Sequence, residues 1–154
     1  LGKTSLKVHG GIATGELPEH QLFNGDGNGF GSWMSFYAPA TFATMRPGEF
    51  WSDKYVALFF SHDFRDLLFG TGFFRPQPEL IFSALWGGIS QSAQHSPQYM
   101  APEKGFMECG LLLNNIIGTS TGIGVGALHR MGSYAFDKWT ENMTIKITLT
   151  LPQN

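Results

Sequence analysis

The last long segment of the chain limits the fold more than any other: Met143, Ile145, Ile147, Leu149 and Leu151 alternate with Thr144, Lys146, Thr148 and Thr150. A period of two puts these sets on opposite sides of an extended strand, one apolar and one polar. A soluble sandwich satisfies the same pattern, so other segments must separate a soluble sheet from a membrane sheet. No window approaches the ~18 to 20 uninterrupted apolar residues of a spanning helix, and mean hydropathy is only -0.07. A membrane-crossing form of this chain must therefore cross with strands, which show alternate residues to lipid and keep the average near zero.

Other segments repeat the pattern. Ile123, Val125 and Ala127 alternate with Gly122, Gly124 and Gly126, followed by Leu128 and Arg130. Met107, Cys109, Leu111 and Leu113 alternate with Glu108, Gly110, Leu112 and Asn114. A carboxylate in mid-strand is costly in a dry core and tolerable against a hydrated lumen. With strands near 4–15, 53–64, 79–90, 106–116, 120–132 and 142–151, the expected class is all-β: an antiparallel up-and-down transmembrane β-barrel segment. About six strands are too few to close a membrane barrel, which needs at least about eight, so residues 1–154 are expected to be the C-terminal part of one barrel domain, with further strands before Leu1. The chain begins without Met, a charged leader or an apolar stretch, which fits a fragment or a mature product.

The connections differ in character. A long Gly- and aromatic-rich segment (16–52) and a second long one (90–105) alternate with shorter ones (65–78, 116–120), and GSYAFDKWTEN joins the last two strands. Long extracellular loops opposite shorter turns is the outer-membrane arrangement. Trp51, Tyr55, Phe64, Phe69, Phe73, Phe74, Tyr134, Phe136 and Trp139 fall at strand ends, where interfacial aromatic girdles sit. Charged residues make up 14% of the chain, against about a quarter in ordinary soluble domains.

Several function classes lose support. The formal charge is -2 and the basic residues are scattered, so no nucleic acid is expected as a partner. Cys109 is the one cysteine and has no disulfide partner in the chain. His9, His20, His62, His95 and His129 lack metal-ligand spacing, so neither a metal nor another cofactor is expected. In Ser61-His62-Asp63, neighbours on a strand point to opposite faces, which separates Ser61 from His62 and argues against a catalytic triad. The glycines of GDGNGFG (Gly25, Gly27, Gly29, Gly31) precede an aromatic, proline-bearing segment and no helix, so they read as a turned loop and not as a phosphate cradle.

The segments SLKVHGG, LFNGDGNG, TFATMRPGEFWSDKYVALFFSHDF, FMECGLLLNNII and GIGVGALHRMGSY, in that order, carry a resemblance. Nearly the whole chain resembles the C-terminal barrel of a Bacteroidota outer-membrane family of unknown function, whose members carry a carboxypeptidase-regulatory-like N-terminal domain. That barrel is distantly similar to the barrel-assembly and two-partner-secretion superfamily, in which a long loop folds into the lumen and carries a Val-Arg-Gly-Phe/Tyr motif. The resemblance implies that 16–52 is an inward-folding loop and Arg46 its lumen arginine, with Glu49, Asp53 or Glu108 as partner. Here the sequence reads Met45-Arg46-Pro47-Gly48 instead of that motif, and the chain ends in LTLPQN where such barrels commonly end in an aromatic.

The lumen-facing polar candidates are Arg46, Glu108, Asn114, Arg130 and Lys146, with Thr148 beside them. The expected function is non-catalytic: transport or protein assembly in a Gram-negative outer membrane. Its expected partners are outer-membrane lipid, the preceding strands of the same chain and other envelope proteins. Two alternatives stand beside it, an outer-membrane lipid hydrolase or acyltransferase using His62 or His129 with a loop serine, and a soluble β-barrel binding module.

Overall fold

A computed structural model of the protein describes residues 2–15, 18, 21–29, 34–65, 68, 74–90, 99–118 and 121–150. In chain order the strands are β1 (Lys3–Ile12), β2 (Phe23–Asn24), β3 (Met34–Phe36), β4 (Trp51–Ser52), β5 (Lys54–Asp63), β6 (Gln77–Gly88), β7 (Phe106–Gly118), β8 (Gly122–Met131) and β9 (Met143–Thr150). The fold is all-β, and no helix among the described residues is long and apolar enough to cross a membrane.

The six long strands are the ones that alternation marks, and each lies antiparallel beside its neighbour in the order β1-β5-β6-β7-β8-β9. The seventh member is β3, which adds parallel to the far side of β9 with Ser35 opposite Lys146. The sheet is open: β1 forms one edge, and three residues of β3 cover only part of β9 at the other.

Register fixes two faces. Ala57, Phe59, Ile81, Ser83, Leu85, Glu108, Leu112, Leu128, Arg130, Lys146 and Thr148 are buried on the inner face. There the segment between β1 and β5 folds back and supplies Phe42, Ala43, Met45 and Phe50 to the core. Leu6, Val8, Val56, Leu80, Leu111, Ile123, Val125, Ile145 and Leu149 point the other way and stay exposed. Ser61 and His62 project to opposite faces, as extended backbone requires, and Thr4 Oγ1 lies 2.8 Å from His62 Nδ1.

The glycines of β8 let neighbouring strands close in. A Cβ on Gly124 would meet Leu113 O and Thr148 Oγ1, and one on Gly126 would meet the Leu112 side chain. These positions therefore select glycine by space, whatever their strand propensity. At the lower end, β7 shifts register between Leu113 and Ile117, and Asn115 takes a left-handed φ of 52° there. The extra residues of β7 at this shift have no partner opposite them in β8.

Two expectations change. The stretch read wholly as a connection, 16–52, contains β2, β3 and β4, and β2 pairs with β4. Some aromatics assigned to girdles face inward instead. Tyr55 packs at a tilt against Phe23 with ring centres 4.9 Å apart and Tyr134 edge-on against Phe50 at 4.8 Å, while the Phe136 ring centre lies 4.4 Å from the Arg130 guanidinium. Their rings find partners inside, and the Tyr134 hydroxyl donates to Ala101 O at 2.9 Å, which outweighs their position near strand ends. Phe74 and Trp139 are exposed, whereas Phe69, Phe73, His20, His95, Gly31 and Leu151 lie outside the described residues.

Replacing Gly124 by Val should destabilise the sheet by roughly 1–3 kcal/mol, the usual cost of overpacking. The neighbouring outward change Val125→Leu should leave the denaturant midpoint nearly unchanged. Equal midpoints for the two variants would contradict the close approach of β7, β8 and β9.

Candidate functional site

Three charged side chains on adjacent strands hold the folded-back segment. Glu108 on β7, Arg130 on β8 and Lys146 on β9 are 0%, 2% and 0% exposed. Each is placed inward by the same alternation that sends its apolar neighbours outward, and Glu108 and Arg130 are directly opposed in the ladder. Charges this deeply buried require partners, and the segment between β1 and β5 provides most of them.

Glu108 accepts three hydrogen bonds: from Ala43 N to Oε1 at 2.8 Å, and from Thr44 N and Thr44 Oγ1 to Oε2 at 2.8 and 2.7 Å. Arg130 donates through Nη2 and Nη1 to the two carboxylate oxygens of Glu49 at 2.6 and 3.1 Å, and through Nε to Tyr134 O at 2.6 Å. This paired geometry is the strong form of an arginine–carboxylate contact. The guanidinium also lies between the rings of Phe106 and Phe136, 4.9 and 4.4 Å from their centres. Lys146 Nζ donates to Asn28 O and Ser35 Oγ, both at 2.6 Å.

Apolar packing works beside these contacts. Phe42, Met45 and Phe50 fill a cluster with Phe59, Leu85 and Phe106. Gly27 and Gly29 lie so close to the backbone of Met45 and Arg46 that a Cβ on either would clash, and Gly29 N donates to Met45 O at 2.6 Å. The glycine-rich run thus serves close packing between two passes of the segment. Tyr37 packs beside Leu112 and Leu128; burial first, then the charges of Glu79 and Glu108, push its hydroxyl above the ordinary tyrosine value. It stays neutral as a result.

The five polar candidates separate. Glu108, Arg130 and Lys146 form the buried row, with Thr148 also buried on that face. Asn114 is half-buried and donates to Glu79 Oε2 at 2.8 Å. Arg46 is exposed and outside the row, with its guanidinium 5.6 Å from the Phe136 ring centre. The ion pair foreseen for Arg46 belongs to Arg130: Glu49 joins that residue, while Arg46 contributes only its backbone N–H to Glu49 Oε2 at 2.9 Å. Asp53 Oδ2 accepts from Ser90 N at 2.6 Å. Glu49 as the partner of Arg130 was not readable from strand alternation, because it sits in a connection.

No group of three His, Cys, Asp or Glu side chains placed to hold a metal occurs among the described residues. An open cleft lined by His9, Asp26, Phe42, Tyr55 and Phe59 adjoins the folded-back segment. The arrangement is an anchoring device: opposite charges on the sheet seize both backbone and side chains of one connection.

Glu49→Ala should leave Arg130 buried without its carboxylate, destabilising the protein by about 3–5 kcal/mol. Limited proteolysis should then cut between β1 and β5 faster than in the parent protein; unchanged cleavage would mean that the pair does not hold the segment. No protein-family model, curated protein or solved structure matches this chain.

Proposed function

We propose that the chain is the membrane-embedded part of an outer-membrane β-barrel, non-catalytic, acting in transport or protein assembly with the segment between β1 and β5 as an internal plug. The observation that carries this reading is the continuous apolar outer face, in which Leu6, Leu111, Ile123 and Leu149 are 61%, 49%, 55% and 56% exposed. Water is a poor neighbour for such a surface and lipid a good one. The long strands contain 8 to 13 residues, bracketing the ~9–11 of a tilted spanning strand.

Sidedness supports the same reading. The connections 13–53, 89–105 and 132–142 leave one end of the sheet, and 64–76 and 119–121 the other. Trp86 and Trp139 are exposed toward the first end, where an interfacial belt belongs. The open β1 edge and the uncovered part of β9 call for further strands of the same protein, since unpaired backbone groups each cost several kcal/mol in hydrocarbon. With them the polar inner face becomes a lumen, and Glu108, Arg130 and Lys146 anchor what fills it. The carboxypeptidase-regulatory-like barrel family fits this arrangement, as does a Gram-negative outer-membrane location with lipid and envelope proteins as partners.

The full-length protein should fractionate with outer membranes and migrate differently on gels with and without heating. A soluble product with no heat-dependent shift would sink the proposal. Leu111→Arg should hinder insertion by roughly 2–4 kcal/mol, whereas the same change on a water-facing sheet would be tolerated.

A further inference from the structure

Residues far apart in sequence meet on the outer face near the end with the long connections. Cys109 on β7 stands directly opposite His129 on β8, and His129 directly opposite Met143 on β9. Met107 and Met131 are paired in the adjoining row. All five are partly exposed, and together they hold the single cysteine and three of the six methionines of the chain. Facing residues in adjacent strands place their Cβ atoms roughly 4.5–5.5 Å apart, and methionine has three rotatable bonds with which to bring its sulfur toward a neighbour.

His129 lies in the middle of the row, and its Nε2 is buried with no hydrogen-bond partner. The Trp139 ring sits over it at 6.0 Å between centres. A buried imidazole nitrogen without a partner is costly and is also a ready ligand atom. Thiol, imidazole and thioether form a soft donor set, suited to a monovalent d10 ion and poorly suited to oxygen-seeking divalent ions. Charge selects in the same direction. Phe82, Leu111, Ala127 and Ile145 surround the row with apolar surface, where a net charge is penalised. A monovalent cation on one thiolate makes a neutral complex, and a zinc ion in its place would leave a positive charge.

We propose that Cys109, His129 and Met143 bind one copper(I) ion on the outer face of the sheet, with Met107 or Met131 able to complete its coordination. On binding, the Cys109 thiol releases its proton to solvent, a copper–sulfur bond forms, and His129 Nε2 gains the partner it lacks. No change of oxidation state is involved.

The test uses the purified protein in detergent, under anaerobic conditions with ascorbate, and titrates copper(I) against bicinchoninate. One ion per chain is expected. Cys109→Ser should abolish binding, and His129→Gln and Met143→Leu should each weaken it on the order of tenfold. Equimolar zinc(II) should not displace the ion. Silver(I) should slow maleimide labelling of Cys109 in the unmodified protein, a readout independent of whether a variant folds. Unweakened binding by both His129→Gln and Met143→Leu would reduce the site to a lone thiol and overturn the proposal. So would displacement by zinc, or labelling that silver leaves unchanged.

Discussion

Glu108, Arg130 and Lys146 face partners on the chain between β1 and β5, which folds back over the inner face, and those contacts help to hold that segment in its path. Glu108 accepts from Ala43 and Thr44, Arg130 grips Glu49, and Lys146 donates to Asn28 O and Ser35. Removing one member of such a set leaves a buried charge unpaired, which is far more costly than never having placed it. The interdependence explains how a sheet with an apolar outside can carry three ionisable side chains inside without a large apolar core of its own.

Alternation made the long strands and their faces legible. It put Glu108, Arg130 and Lys146 on one side and Leu111, Ile123 and Ile145 on the other, because side-chain direction in a strand depends on parity alone. The same rule says nothing about segments without a period. Glu49, Phe42 and Phe50 sit in such a segment, and their places are decided by what the sheet offers them. Arg46 shows the limit of motif analogy: an arginine at the expected place in the loop stays exposed, while the guanidinium that the inner face uses comes from a strand. Tyr55, Tyr134 and Phe136 show the corresponding limit for composition, since an aromatic near a strand end can turn toward either face.

Cross-strand register also creates neighbours that sequence spacing hides. Cys109, His129 and Met143 are separated by connections and by whole strands, so no ligand-spacing rule detects them. They become a row once β7, β8 and β9 are aligned. The aligned strands thereby bring soft donors together on one face and hard, charged groups together on the other, a separation enforced by the pleat.

The short parallel strand β3 ties the folded-back segment to the edge of the sheet. Its backbone ladder runs beside Ile145 to Ile147, and Ser35 within it accepts from Lys146. Withdrawing the segment from the inner face therefore breaks the β3–β9 ladder and strips Lys146 of both partners together. The costs are coupled: a half-withdrawn segment would leave either an unpaired strand edge or an unpaired buried ammonium, each unfavourable. Such coupling makes the seated segment hold as a unit, with part of its anchorage at β9, far along the chain from the segment it holds.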